Sequence, residues 1–366
     1  MYLGSELVGS VDRYPSRIEL ETDDLEPTAP VRDLGEVARL ARTAQRGVLD
    51  YISIDDTLAG NPPFSGRRRT GLDSVKLATR LAPATEGVRL VPQVAANRVK
   101  PSTLLEALIE LEVASEGRHG WELQLHDHPA PMTHSGELLT AIVEDTWSAG
   151  EPLTQLAASA RAFRHRRLDA SIHRTQPARQ PVAVMRADSP QMAELAAWRA
   201  HVARISATDR ETALSRRADL RDAAERAGRD PDSLKVLVDV TVTLSRAPSH
   251  AEARKELAEE MIGEPLGGHS ARFVGTPEGL ADWCIEWVMT DSCDGFTFLP
   301  TSVPVDLMML VDGVMPVLAL AGYVPSVYQR PTRHATGRAV PVPRRRTNPA
   351  AGSEARPVHE NAAERP

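Results

Sequence analysis

Cysteine, lysine and long apolar runs are what this chain has least of. Only two cysteines occur in 366 residues, Cys284 and Cys293, so no disulfide framework supports the fold. Both suit a reducing cytoplasm or a small apolar filler role. Four lysines stand against a combined Lys and Arg total of 43, so the basic residues are nearly all arginine. No apolar run reaches the roughly 18–20 residues that a membrane span needs. The first residues carry no basic segment followed by an apolar one, so we expect no secretory leader and a cytoplasmic location. A net charge of −7 excludes the broad positive field of a nucleic-acid binder. Neither a P-loop phrase nor a serine–histidine–acid set is present, and no internal repeat stands out.

What is present is a rhythm. Apolar strand patterns alternate with helical patterns, which is the mark of parallel βα units. Strands are predicted at 1–8, 49–54, 87–94, 120–125, 181–186, 201–206, 234–244 and 295–299. Helices are predicted between and after them. Val31–Arg46 carries Leu34, Val37, Ala38, Ala41 and Ala44 at helical spacing, with Gly47 as its stop. Ser206, Thr208 and Asp209 offer caps for a helix that Gly228 closes, and Gly275-Thr276-Pro277-Glu278 opens another with threonine as N-cap and proline first in the helix. The three glycines of 263–270 read as a mobile connection. Pro316 falls inside the last helix and should kink or split it. Residues 149–180 read as an irregular, partly helical excursion. Residues 1–330 then form one (β/α)8 TIM barrel, and 331–366 a Pro/Arg-rich tail expected to be disordered from about 341.

Four stretches carry a resemblance to a known family. They are ARLARTAQRGVLDYISIDDTLA (38–59), VRLVPQV with PSTLLEALIELEVASEGRHGW (88–121), PVAVMRADSPQMAELAA (181–197), and VGTPEGLADW with DGF and VMPVLALAG (274–322). Together they resemble the bacterial-luciferase-like flavin monooxygenases, in the branch of the nitrilotriacetate and dibenzothiophene-sulfone enzymes. The resemblance implies a barrel with insertions and a homodimer. It also implies reduced FMN from a separate flavin reductase, and O2 used to oxidise a small organic substrate. Two alternatives stay open: a non-catalytic paralogue that binds a partner or ligand, and an oxidoreductase using the deazaflavin F420.

Barrel chemistry sits at the C-terminal ends of strands. Asp55 and Asp56 follow the second strand and, by the resemblance, lie near the flavin ring; turn capping is the plainer role for either alone. Gln93, Ala95, Asn97 and Arg98 end the third strand, where polar flavin groups or phosphate would be met. Glu122 stands where relatives carry neutral donors, and a carboxylate beside phosphate is repulsive. Trp121 reads as core. By the resemblance, Ser189, in RADSPQM, stands where relatives often carry a phosphate-cradling Gly-x-Ser-x-x-Gly phrase, with Ala187 and Met192 at the glycine places. Arg186 would assist it there, yet helix capping accounts for Ser189 equally well. His126 and His128 are candidate proton-transfer groups, since histidine titrates near neutrality. With His134 they make no standard metal spacing, so no metal is expected. His201 opens the sixth strand, at the end opposite to the chemistry. Asp294-Gly295-Phe296 reads as turn and packing.

Overall fold

The computed structural model describes residues 1–7, 34–55, 72–95, 99–124, 136, 139–145 and 180–327. Nine strands alternate with helices. They are β1 (Tyr2–Leu7), β2 (Tyr51–Ile54), β3 (Arg89–Ala95), β4 (Gly120–Gln124), β5 (Val182–Arg186), β6 (Val202–Ile205), β7 (Lys235–Leu244), β8 (Ala271–Gly275) and β9 (Gly295–Pro300). The helices are α1 (Leu34–Arg46), α2 (Asp73–Leu81), α3 (Pro101–Ser115), α4 (Pro190–Arg199), α5 (Arg210–Arg226), α6 (Pro248–Ile262) and α7 (Pro277–Met289). A composite last helix, α8, is made of Val305–Met309, Leu310–Val314 and Met315–Leu320. A further helical stretch covers 139–145.

All pairings are parallel. Eight strands close a ring: β1 to β7 run in chain order around it, β7 pairs β9, and β9 returns to β1. The ninth, β8, follows the 263–270 connection and is not among the strands that the sequence pattern predicts. It pairs Val240–Leu244 of β7, on the edge that β6 occupies only as far as Val238. β6 is four residues long and β7 is ten, so β7 offers a second partner the rest of its edge.

Closure depends on two small residues. A Cβ on Gly295 would sit 1.7 Å from the Tyr2 carbonyl oxygen, inside any contact distance. A Cβ on Gly4 would sit 2.3 Å from the Tyr51 ring, which fills the barrel beside it. The glycine that weakens β1 as a strand sequence is therefore what lets Tyr51 lie inside. Asp294 ties the same seam. Its carboxylate accepts from the Val236 N–H at 2.8 Å and from Arg217 at 2.8 Å, while its carbonyl accepts from Tyr2 N–H at 3.0 Å.

Outward strand residues such as Ile52, Leu90, Leu123, Val238, Phe296 and Phe298 are buried against the helices in one large core. Tyr51, Val91, Val184, Val202 and Leu237 form a smaller plug within the barrel. Helix ends follow the predicted chemistry. Asp209 accepts from Thr212 N–H at 2.8 Å, and Thr276 accepts from Gly279 N–H at 3.2 Å. At the end of α1 the left-handed residue is Val48, with φ 56°, and not Gly47. Gly47 instead admits α8, since a Cβ there would meet Val311 at 2.8 Å. The expected break at Pro316 is a π-helical turn, Leu310–Val314, just before the proline that lacks an N–H. The predicted tail, the excursion at 149–180 apart from its last residue, and most of the loops after β1 to β4 lie outside the described residues.

Candidate active site

Parallel strands place the C-terminal ends of β1–β7 and β9 on one face of the barrel, and polar side chains gather just beneath it. Arg204 stands at the centre. It projects from β6 into the barrel and is fully buried. Its Nη1 donates to both Glu122 oxygens, at 2.8 and 2.9 Å. Its Nε and Nη2 donate to the two Asp239 oxygens, at 2.8 and 3.0 Å. One guanidinium thus joins β4, β6 and β7: it meets Asp239 fork to fork, the arrangement in which arginine and carboxylate geometries match best, and shares Nη1 between the two Glu122 oxygens.

The burial explains the pairing. Side-chain exposure is 0 % for Arg204 and Glu122 and 1 % for Asp239, so none can be left charged without a partner. Arg186 adds a second cation. It is the register neighbour of Arg204 on β5, and two like charges side by side would repel. Asp239 resolves this by accepting from both, with Arg186 Nη2 at 2.9 Å. Neutral donors also reach Glu122: Ser53 Oγ at 2.8 Å and Gln124 Nε2 at 3.4 Å. Gln93 donates to Ser53 Oγ at 3.0 Å. Lower in the barrel the Tyr51 hydroxyl meets Thr297 Oγ1 at 2.6 Å, and burial holds that phenol above its ordinary range.

The network forms a floor, and its edge is more open. Arg186 is 34 % exposed and Asp188 41 %, whereas Gln93 and Ala95 are buried. Asp188 accepts from Arg186 Nε at 3.3 Å and from the Ser206 N–H at 3.1 Å, bridging the ends of β5 and β6. Ser189 caps α4: its Oγ accepts from Met192 N–H at 3.3 Å. Asp55 follows β2 and is half-buried.

Of the sequence-derived candidates, the structure brings Gln93, Glu122 and Arg186 into one connected polar group. Ala95 and Asp55 end neighbouring strands. Ser189 stands apart in its helix cap. Asp56, Asn97, Arg98, His126 and His128 lie outside the described residues. Trp121 is in the shell between barrel and helices, 1 % exposed. His201 is at the opposite end, with Nδ1 accepting from Ala183 N–H at 3.1 Å. Burial, helped by Arg229 and Arg89, lowers its imidazole to about 4. Arg204 and Asp239 are absent from the sequence-derived set. The signal that exposes them is a charge at an inward position of an otherwise apolar strand, in VARI and KVLVDVTVTL. Among the described residues no group of His, Cys, Asp and Glu could hold a metal ion.

An eight-stranded parallel barrel with its polar residues drawn to the C-terminal face defines an enzyme scaffold of the TIM-barrel class. The profile of the luciferase-like monooxygenase family matches residues 18–282, and the chain belongs to that family. It is accordingly a flavin-dependent monooxygenase that uses O2 on a small organic substrate. The chain is 22 % identical to N-acetyl-S-(2-succino)cysteine monooxygenase of Bacillus subtilis (strain 168), over 84 % of this chain and 90 % of that protein. It is also 22 % identical to nitrilotriacetate monooxygenase component A of Aminobacter aminovorans, over 82 % and 88 %. The fold is shared with the EDTA monooxygenase EmoA from Chelativorans sp. BNC1, at TM-score 0.70 and 17 % identity, covering 91 % and 96 % of the two chains. It is shared less closely with the coenzyme F420-dependent tetrahydromethanopterin reductase from Methanopyrus kandleri, at TM-score 0.58 and 14 % identity, covering 86 % and 99 %.

Whether a flavin fits can be judged at both of its ends. The ring end needs a flat floor with amide and guanidinium groups at its edge, and Gln93, Gln124 and Arg186 supply these types. The phosphate end needs several undedicated N–H donors, and some of those at the 186–192 turn are already engaged. Arg186 Nε and Ser206 N–H serve Asp188, Met192 N–H serves Ser189, and Pro190 has none.

Proposed function

We propose that the chain binds reduced FMN delivered by a separate flavin reductase and transfers one oxygen atom of O2 to a small organic substrate. The observation that carries this reading is the family match across 18–282 together with the polar floor at the C-terminal face of the barrel. The likeness to a protein named component A supports a reductase as the other component. Bound flavin supplies the electrons and the oxygen chemistry: one oxygen atom goes to the substrate, the other leaves as water, and the reduced flavin is oxidised.

The protein's own residues position and enclose. Arg204 fixes Glu122 and Asp239, and through Asp239 it fixes Arg186, so the floor does not reorganise when charge changes above it. We assign Asp55, Gln93, Ala95, Glu122 and Arg186 to the ring end. Glu122 and Arg204 would support a bound ring through the floor, and Arg186 and Gln124 would offer it guanidinium and amide donors. Asp56, Asn97, Arg98, His126 and His128 follow β2, β3 and β4 directly in sequence and are proposed for the same rim, the two histidines as proton-transfer groups.

The alternative cofactor is F420, whose chemistry would be hydride transfer without oxygen. An anaerobic titration of the full chain with reduced FMN and with reduced F420 separates them. Saturation by FMN at micromolar concentration, followed by O2-dependent loss of substrate, supports the proposal. Saturation by F420 alone with oxygen-independent substrate reduction would replace it. Binding of neither would leave the non-catalytic reading.

A further inference from the structure

The rim between β5 and β6 carries an anion of its own. We infer that Asp188 takes the place an anionic group of the cofactor would seek there, so that this chain recognises its flavin by the ring and gains little from the phosphate. The inference rests on the flavin reading above and sharpens it.

Several donors on this rim are already engaged. Arg186 gives Nε to Asp188 and Nη2 to Asp239. The Ser206 N–H, at the end of β6, goes to the other Asp188 oxygen. At the start of α4, Met192 N–H goes to Ser189 Oγ, Ala193 N–H goes to the Ser189 carbonyl, and Pro190 has no N–H. A helix N-terminus ordinarily attracts phosphate because its first N–H groups are unsatisfied and its dipole is positive there. Here Ser189 Oγ takes the Met192 N–H, Pro190 supplies none, and a carboxylate stands one residue before the cap. Ala187 and Met192 add side chains where close backbone approach would be needed. Ala187 is buried, and its N–H already pairs with the Arg204 carbonyl at 2.7 Å. A phosphate reaching Arg186 on this rim would stand beside the Asp188 carboxylate that already accepts from it. Two negative groups at such a distance repel even through a largely aqueous medium.

Asp188 is also open to change. It is 41 % exposed, and an asparagine retains an oxygen for Ser206 N–H while removing the charge. Dissociation constants of riboflavin and FMN are therefore to be measured for the full chain and for Asp188→Asn, under anaerobic reducing conditions, with urea midpoints as a check on folding. The expected result is that the native chain binds the two flavins within about twofold of each other. Asp188→Asn should tighten FMN by about tenfold and leave riboflavin unchanged. An FMN affinity ten or more times that for riboflavin in the native chain would overturn the proposal. So would a variant that changes both flavins equally or neither. Failure of both flavins to bind the native chain would remove the flavin reading itself, and this proposal with it.

Discussion

Replacing Arg204 by methionine tests the floor of the barrel. Methionine fills a comparable volume but donates nothing, so four charge-assisted bonds disappear together, at 2.8–3.0 Å. Asp239 keeps Arg186, and Glu122 keeps the neutral donors Ser53 and Gln124. Glu122 is then an ionised carboxylate at 0 % exposure without its cation. Removing one partner of a buried pair costs about 3–5 kcal/mol, and the upper half of that range applies to a residue serving two carboxylates. The sign with pH follows. In the variant, the folded-state pKa of Glu122 rises above its unfolded value of about 4.3. A group raised in this way contributes stability below the unfolded pKa and loses it as pH rises through the folded one. The variant's deficit is therefore largest near neutrality and shrinks toward about pH 5. Urea unfolding at both pH values gives the comparison directly. A loss under about 1 kcal/mol at neutral pH, with no narrowing in acid, would refute the account of the network.

Other outcomes follow from single contacts. Gly295→Ala should prevent β1 from pairing with β9 and yield no folded monomer by circular dichroism, because the added carbon lands 1.7 Å from a backbone oxygen. Asp306 is fully buried and binds Leu244 N–H at 2.9 Å, Ser302 N–H at 2.7 Å and Arg254 at 2.8 Å. Asp306→Ala should cost about 3 kcal/mol or more in urea. His201 is held neutral by burial, with its imidazole lowered to about 4. Its contribution is present above the unfolded value of about 6.5 and is lost as pH falls toward the folded one, so His201→Gln should flatten the stability curve between them by up to about 3 kcal/mol.

The parts of the fold that depend on local pattern could be read from the sequence. β7 announces itself by a near-continuous apolar run, α7 by its Thr276 cap, and α5 by a choice of caps at Ser206, Thr208 and Asp209, of which the structure uses Asp209. β8 could not be read, because ARFVG is short, follows a glycine-rich stretch, and exists as a strand only where β6 leaves the β7 edge unpaired. The site divides in the same way. Glu122, Gln93 and Arg186 were reachable as polar residues at strand ends. Their partners were not, since Arg204 is 82 residues from Glu122 and 35 from Asp239, and only barrel register brings the three together. Ser189 shows the converse: one serine satisfies both a phosphate phrase and an N-cap, and the capping bond appears only in three dimensions.

The central claim is that a reduced flavin and O2 meet above this floor. It is tested most directly by turnover with an external flavin reductase under heavy-isotope dioxygen, screening small organic substrates and reading the label in the product by mass spectrometry. The account predicts a product carrying a single labelled oxygen atom, formed only when reduced FMN, O2 and the full chain are all present, and lost in Arg204→Met assayed under conditions where it is folded. Substrate conversion that proceeds without oxygen, or a product whose new oxygen comes from water, would contradict it.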